Sequence, residues 1–149
     1  MIDRIDRSIL RRLQHDGRMT ATALASEVGL TVAPCHRRLR ELESSGVIRG
    51  YRADIDPAKV GLGFEALVFV TLKDRQSLGP FETEVVRIPR ISEALRLFGE
   101  PDFLLKVIAE DLPSYQRFYD EVLVGLPGVE KLNSTIVMKN LKGAGGLPL

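Results

Sequence analysis

The sequence predicts an α+β protein made of two small domains, a helical head followed by a domain built on an antiparallel sheet. Apolar residues in the first third of the 149-residue chain recur every three or four positions, which is typical of amphipathic helices. Beyond residue 63 they alternate, which is typical of strands. We therefore expect domains at residues 1–55 and 64–142, joined by a Pro- and Gly-containing linker at 56–63. Residues 143–149 are expected to be a disordered tail.

The charge is distributed unevenly between these parts. Residues 1–60 contain 11 Lys/Arg and 8 Asp/Glu, whereas residues 61–149 contain 10 and 12, so that the chain as a whole carries +1. A locally basic head favours docking on DNA at one place over general coating of nucleic acid. The single cysteine excludes an internal disulfide, and no apolar run approaches the ~20 residues of a membrane span. With no signal-peptide pattern after Met1, we expect a cytoplasmic protein.

The head begins with a predicted helix over residues 1–14. Four isoleucine and leucine residues share one face of this helix, and Gly17 is its stop signal: Ile2, Ile5, Ile9 and Leu13. Residues 20–46 then predict two short helices joined at Gly29, with Thr20 and Thr31 as N-caps. Pro34 is tolerated in the first turn of the later helix, because no acceptor exists there for the missing N–H. This pattern predicts a helix-turn-helix, whose second helix usually enters the major groove of DNA.

The second of these helices has one apolar stripe and one cationic face. Cys35, Leu39 and Leu42 follow the i, i+4, i+7 spacing of a buried stripe. At ~100° per residue, Ala33, Arg37 and Arg40 point away from this stripe and His36 lies at its edge. Together with Thr31, these four residues are our candidates for reading DNA. Arg38 lies on the flank, where we expect it to contact phosphate. Arginines on an outer helix face are often only solvated surface, so the flanking segments matter.

After Gly46, residues 47–55 predict two short strands around Gly50. Three helices and a β-hairpin form a winged helix-turn-helix, with Arg49 and Arg52 on the wing where they can contact phosphates. The head is therefore predicted to bind DNA.

The second domain is predicted as strand 64–72, helix 80–88, strands 91–98 and 103–109 around the turn 99–102, a helix capped by Asp111, and a long last strand over 129–141. This β-α-β-β-α-β order is the ferredoxin-like arrangement, with two helices on one face of a four-stranded antiparallel sheet. The first strand is apolar on both faces, with Leu67 and Phe69 on the side away from the helices. We expect that side to be covered by a second copy of the chain.

The chain resembles the Lrp/AsnC family of bacterial and archaeal regulators along nearly its whole length. The most specific match is the block VGLTVAPCHRRLRELESSGVIRGY, because few other helix-turn-helix families place Pro-Cys in the recognition helix. The other matching segments are Asp3-Arg4-Ile5-Asp6, Ile9-Leu10, Asp16-Gly17-Arg18, Asp56-Pro57, Gly61, Gly99-Glu100-Pro101-Asp102-Phe103-Leu104-Leu105 and Leu126-Pro127-Gly128-Val129.

The resemblance implies a regulator that forms dimers through its C-terminal domains, often assembled further to tetramers or octamers, and binds operator DNA with paired heads. It also implies a small effector, commonly an amino acid, bound between C-terminal domains of neighbouring subunits. The family's Gly-x-x-Asp turn corresponds to Gly99 and Asp102, and its Thr-x-Thr pattern corresponds to Leu132 and Ser134. Leu132 removes a hydroxyl, which favours an apolar amino acid if an effector binds. Asp102 could equally be a turn residue that satisfies its own loop, and Ser134 an ordinary strand serine.

Two other interpretations were weighed. An enzyme is disfavoured because Cys35 and His36 are adjacent and diverge by ~100°, and no residues have metal-ligand spacing or form a Gly-rich phosphate loop. We therefore expect no catalysis, cofactor or metal. A sensor whose head has lost DNA binding is disfavoured by the presence of Arg37, Arg40 and Arg52.

Overall fold

The computed structural model describes residues 1–143 and 145–149, and these form two compact units. One unit comprises Met1–Asp54 together with Leu141–Leu149, and the other comprises Ile55–Asn140. Each unit has its own apolar core, and they are described separately below.

The first unit, called the head, is built on three helices: α1 (Arg4–His15), α2 (Ala21–Val28) and α3 (Val32–Ser44). Their buried faces meet in a core formed by Ile9, Leu24, Ala25, Cys35 and Leu42. The predicted apolar stripe of α3 is confirmed, since Cys35 is fully buried and Leu42 is 3% exposed, with Leu39 packed beside them. Removing these side chains from water drives the association of helices that are each too short to be stable alone.

Capping residues set the ends of the helices. α1 begins at Arg4 and not at Met1, because the Asp3 and Asp6 carboxylates each accept the other residue's backbone N–H. The Thr20 hydroxyl caps α2 by accepting the Ala23 N–H at 3.1 Å, and Gly29 ends this helix in the left-handed conformation, as predicted. Thr31 occupies the N-cap position of α3, but its side chain makes no capping hydrogen bond.

The predicted hairpin over residues 47–55 is wrong, since this segment contains no strand. The Ile48 N–H donates to the Leu42 carbonyl, so the chain first folds back on the end of α3. The Tyr51 hydroxyl then donates to Glu43 at 2.9 Å, and its ring lies against Gly17. These contacts hold the segment along the head, and no backbone hydrogen bond joins residues 47–49 to 51–55 within the described chain.

The second unit, called the sheet domain, is a four-stranded antiparallel sheet with two helices. Its elements are β1 (Phe64–Leu72), α4 (Leu78–Val85), β2 (Ile91–Arg96), β3 (Phe103–Ala109), α5 (Leu112–Glu121) and β4 (Val129–Ile136). The strand order is β2-β3-β1-β4, which confirms the predicted ferredoxin-like arrangement. β1 and β3 have the bounds that the sequence predicts, and Asp111 caps α5 by accepting the Ser114 N–H.

Three elements differ in length from their predictions. β2 ends at Arg96, because the Leu97 N–H donates to the Asp102 carbonyl and closes the turn. β4 ends at Ile136, because its pairing with β1 ends at Ala66 and the last ladder bond joins the Val137 N–H to the Glu65 carbonyl. α4 begins at Leu78, so Gly79 and Pro80 lie within its first turn. The missing N–H of Pro80 breaks no hydrogen bond there, because the first N–H groups of a helix have no intrahelical acceptor.

The core of the sheet domain lies between the sheet and its helices. Alternate residues of β1 are buried there, as predicted, against Phe81 of α4 and the rings of Tyr115 and Phe118 of α5: Ala66, Val68, Val70 and Leu72. The opposite face carries half-buried apolar side chains from the two central strands: Leu67, Phe69, Leu104 and Ile108. In the described residues, no helix covers this face.

The last residues of the chain contact α1, Ala144 lies outside the described residues, and the disorder expected for 143–149 stays a prediction. Leu147 exchanges hydrogen bonds with the side chain of Gln14 on α1, and its carbonyl accepts the Gln14 amide at 3.2 Å. Arg11 Nε donates to the backbone oxygen of Leu149 at 3.0 Å. Residues 147–149 therefore lie along α1.

Candidate functional site

The outer face of α3 is the candidate DNA-contacting surface. Ala33, His36, Arg37 and Arg40 line one open surface together with Glu41 and Ser44. Burial of Cys35 and Leu42 fixes the rotation of the helix, so that these side chains point away from the core. Arg37 and Arg40 are exposed and form no ion pair within the described residues. This surface therefore has a small side chain, Ala33, near the start of the helix and cationic side chains further along it.

Arg38 does not belong to this surface. Its guanidinium donates to the Asp3 carboxylate at 2.7 Å and to the Asp6 carboxylate at 2.9 Å, which ties α3 to the start of α1. The Asp6 backbone N–H and, after it, the Arg38 guanidinium lower the pKa of Asp3, and the two carboxylates raise the pKa of Arg38. The phosphate contact expected of Arg38 stays a prediction, and the bonds to Asp3 and Asp6 give this side chain a structural role. It positions α3 on α1.

The remaining DNA-binding candidates of the head, Thr31, Arg49 and Arg52, are exposed. Thr31 lies at the start of α3, where helix N–H groups are free to meet a phosphate. Arg49 and Arg52 lie on the extended segment after α3 and not on a paired wing. Both side chains are exposed beyond the end of α3, but no strand pairing holds the backbone of residues 47–55 that carries them.

In the sheet domain, Asp102 is bonded to its own chain. Its Oδ2 accepts the Leu72 N–H at 2.7 Å, its backbone N–H donates to the Val70 carbonyl, and its carbonyl accepts the Leu97 N–H. These three bonds join the turn before β3 to the end of β1 and to the end of β2. Gly99, three residues earlier, has a φ of 125°, which a side chain would strain. The Gly-x-x-Asp turn thus has a structural role whether or not an effector touches it.

Gly99 and Asp102 also line an open cavity of about 420 Å³. Its other walls come from the end of β1, the segment before α4 and the end of β2: Leu72, Asp74, Arg75, Leu78, Arg96, Leu97 and Phe98. Arg96 is held by Glu82 at 3.1 Å, whereas the Phe98 side chain is fully exposed. The cavity thus offers carboxylates, guanidinium groups and apolar surface, and its volume is in the range of small-molecule sites.

Leu132 and Ser134 lie elsewhere. On β4 they pair with Val70 and Val68 of β1, so they face the helices. Because β1 separates β4 from the Asp102 turn, two strand spacings put the two pairs about 10 Å apart. The Ser134 hydroxyl shares a 2.5 Å hydrogen bond with the Tyr115 hydroxyl of α5. Burial of Tyr115 raises its pKa, so the phenol stays protonated. One chain therefore does not bring the four predicted effector residues together.

Sequence reasoning missed Arg75, Arg96 and Phe98 as cavity residues, and Tyr115 as the partner of Ser134. Phe98 had a usable signal, because a large apolar residue directly before a Gly-containing turn is seldom needed by the core. The arginines had none, since strand and loop arginines are common on any surface.

Comparison with known proteins agrees with both units. Residues 2–49 match the model of a winged helix-turn-helix DNA-binding domain, and residues 65–147 match that of the Lrp/AsnC ligand-binding domain. This chain belongs to the Lrp/AsnC family of transcriptional regulators. Both the winged helix-turn-helix class of the head and the DNA-binding function predicted from it are thereby established, although residues 47–55 lack the strands of a wing.

Several relatives span the full chain. It is 40% identical to the leucine-responsive regulatory protein of Rhizobium meliloti (strain 1021), over 96% of this chain and 93% of that protein. It is 36% identical to the DNA-binding transcriptional activator DecR of Escherichia coli (strain K12), over 100% and 99% of the two chains.

Among solved structures, the chain is similar to a transcriptional regulator of Neisseria meningitidis in complex with L-methionine, with a TM-score of 0.94, 34% identity and coverage of 99% of this chain and 97% of that chain.

No helix in the described residues combines the length and apolar character that crossing a bilayer requires.

Proposed function

We propose that this regulator reads operator DNA through Thr31, Ala33, His36, Arg37 and Arg40, with Arg49 and Arg52 on adjacent phosphates, and acts in the cytoplasm. The observation that carries the proposal is the outer face of α3, where a small residue is followed by two exposed arginines that form no ion pair in the part of the chain that the structure describes. Arg37 and Arg40 are three residues apart, so they lie side by side on the helix surface and can reach neighbouring acceptors in one groove.

We also propose that an apolar amino acid binds between sheet domains of neighbouring subunits and changes assembly or DNA affinity. Two features support an intersubunit site. Gly99 and Asp102 lie on the opposite side of β1 from Leu132 and Ser134, and the cavity beside Asp102 is open. Leu132 offers apolar surface where a hydroxyl is common in the family. The related Neisseria regulator has been solved with L-methionine, which is consistent with this class of ligand.

The subunits are proposed to pair through the helix-free face of the sheet, as a homodimer that can assemble to a tetramer or octamer. Leu67, Phe69, Leu104 and Ile108 form an apolar strip on that face. Within the strip, where Lys106 pairs with Leu67, Lys106 Nζ lies 3.2 Å from Glu65 Oε1, and the Glu65 side chain is only 11% exposed. An apolar strip whose one cation is already neutralised by a neighbouring carboxylate suits burial against a second copy.

The first experiment is fluorescence anisotropy of the full chain on the DNA upstream of its own gene, titrated with salt. We expect sequence-preferring binding with a steep log–log salt dependence, because several phosphates are contacted per dimer. L-methionine and L-leucine should alter the affinity, whereas L-glutamate serves as the polar control. Salt-independent binding would contradict the DNA proposal. Specific binding that no amino acid alters would contradict the effector proposal alone.

The pairing proposal is tested with Phe69→Glu in the full chain. A charge in the apolar strip should convert the dimer to a monomer in analytical ultracentrifugation. Val86→Glu is the matched control, because Val86 is 79% exposed and lies outside the strip. A Phe69→Glu protein that is folded and still dimeric would place the interface elsewhere.

A further inference from the structure

The head carries a second cationic surface, on α1. Arg4, Arg7 and Arg11 follow the i, i+3, i+7 spacing, so they form one stripe along the helix. All three are exposed, and the stripe lies opposite the face that buries Ile9. At 1.5 Å per residue the stripe is about 10 Å long. We call Arg4, Arg7 and Arg11 the α1 stripe.

No acidic side chain neutralises the α1 stripe within the described residues. The acids around α1 are engaged elsewhere, because Asp3 and Asp6 bind Arg38 and Glu27 binds Arg12 at 3.2 Å. Asp16 accepts the backbone N–H of Arg18. The local carboxylates are thus bonded to other groups. The guanidinium groups of Arg4 and Arg7 lie together on one open face, and Arg11 beside them is bonded to the Leu149 backbone oxygen. Like charges held in a row at close range repel each other unless an anion lies against them.

The α1 stripe does not point where α3 points. α1 and α3 bury their inner faces, with Ile9 and Cys35, in the same core. Their outer faces therefore look away from that core on different sides. When a duplex lies on Arg37 and Arg40, the α1 stripe therefore faces away from that duplex.

We propose that the α1 stripe binds the phosphate backbone of a second duplex DNA segment, so that one head contacts two segments. Charge complementarity selects this partner, because three arginines in a row match a polyanion and offer no apolar surface for a protein. Such contacts carry no base preference. This inference rests on DNA binding by the head and is independent of the effector.

The tail limits this surface. Arg11 donates to the backbone oxygen of Leu149, and Leu147 is bonded to Gln14 on the same side of α1. Residues 147–149 therefore occupy the C-terminal end of the α1 stripe, while Arg4 and Arg7 stay open. Removal of these residues frees Arg11 for a third phosphate contact.

The test is a capture assay in which the full-length protein is bound to an immobilised operator duplex and a labelled non-operator duplex is added. The Arg4→Gln/Arg7→Gln protein should lose about tenfold in capture and have a capture salt slope smaller by about 2, since each phosphate contact adds about 0.9. Its operator affinity should remain unchanged. Deletion of residues 147–149 should increase capture.

Arg12→Gln is the matched control, because Arg12 is on the same helix but is paired with Glu27. Arg37→Ala/Arg40→Ala identifies failure of the operator proposal separately, through operator affinity alone. Unchanged capture by Arg4→Gln/Arg7→Gln would mean that recognition helices of other subunits hold the second duplex, and would overturn the inference. An equal loss of operator affinity and capture would also overturn it, because the α1 stripe would then lie on the operator.

Discussion

The head and the sheet domain present their candidate residues in opposite ways. In the head, Arg37 and Arg40 extend from α3 into open surroundings and form no ion pair within the described residues. In the sheet domain, Asp102 receives the Leu72 N–H and Ser134 is bonded to Tyr115. One set of side chains is available to a partner, and the other is already used by its own chain.

This difference teaches what one chain can supply to each kind of site. A recognition helix needs only exposed side chains on a rigid support, so its surface is complete in the monomer. An intersubunit pocket needs residues from two chains. In the single chain, each buried polar group of that pocket must form a hydrogen bond within its own chain, because an unsatisfied buried polar group costs free energy. Substitutions should therefore affect binding in the head and folding in the sheet domain.

The largest effect expected is on DNA affinity. Arg37→Ala/Arg40→Ala should weaken operator binding by about 2–6 kcal/mol, because each groove-facing arginine contributes about 1–3 kcal/mol. Thermal stability should be unchanged, since neither side chain contacts the core. Anisotropy at one salt concentration measures the loss, with Arg87→Ala/Arg117→Ala on the sheet domain as the charge-matched control. Retained affinity in the head variant would remove both arginines from the DNA surface.

The next effect reverses this pattern. Asp102→Ala should lower the free energy of unfolding of the sheet domain by about 1–3 kcal/mol, because the Leu72 N–H loses a carboxylate acceptor. Urea denaturation measures the change. The control is Glu100→Ala in the same turn, whose exposed side chain makes no hydrogen bond within the described residues. Full stability of Asp102→Ala would show that the bond from the Leu72 N–H contributes nothing to the stability of the sheet domain.

A smaller effect sharpens the role of Ser134. Tyr115→Phe and Ser134→Ala remove the same hydrogen bond, so each should cost about 1 kcal/mol and the double variant no more than either. Denaturation of the three proteins tests this. If Ser134 also contacts an effector, Ser134→Ala alone should change effector affinity by isothermal titration. Equal affinities in both single variants would leave Ser134 with its structural role only.

The smallest effect concerns Arg38. Its hydrogen bond is one cause of the lowered pKa of Asp3, after the Asp6 backbone N–H. A lowered carboxyl pKa stabilises the head above the ordinary aspartate pKa, and this contribution is lost as pH falls through the lowered value. Arg38→Gln should slightly lower the melting temperature at neutral pH and should reduce the further fall in acid, as followed by circular dichroism. Arg12→Gln is the control. A melting profile for Arg38→Gln that matches the wild type at every pH would show that the ion pair contributes nothing.

The correct predictions rest on local patterns. The alternation from Phe64 to Leu72 predicted β1 with its bounds and its buried face, and the spacing of Cys35 and Leu42 predicted which side of α3 is buried. Periodicity succeeds here because each buried residue loses water on a single face, which leaves its record in the sequence. The chain order of the elements was then sufficient to predict the sheet topology.

The errors arise where a distant bond decides the local form. Residues 47–55 had a hairpin pattern, yet Tyr51 binds Glu43 and the segment stays unpaired. β4 was predicted too long because its own residues suit a strand, whereas its length depends on where its pairing with β1 ends. The ion pairs of Arg38 were missed because neither spacing nor charge shows that Asp3 and Asp6 lie beside it.

The sequence by itself determined the two-domain order, the helix and strand faces, and the exposure of Arg37 and Arg40, because these follow from the 3.6- and 2-residue periods and from burial of the apolar side. Only the tertiary structure decided how charged and polar groups are shared. It pairs Arg38 with two aspartates and bonds Asp102 to β1, and among the residues that the structure describes no acidic side chain pairs with the α1 stripe. Hydrogen bonds and ion pairs act over a few ångströms between residues far apart in sequence, so they are fixed only once the chain has folded.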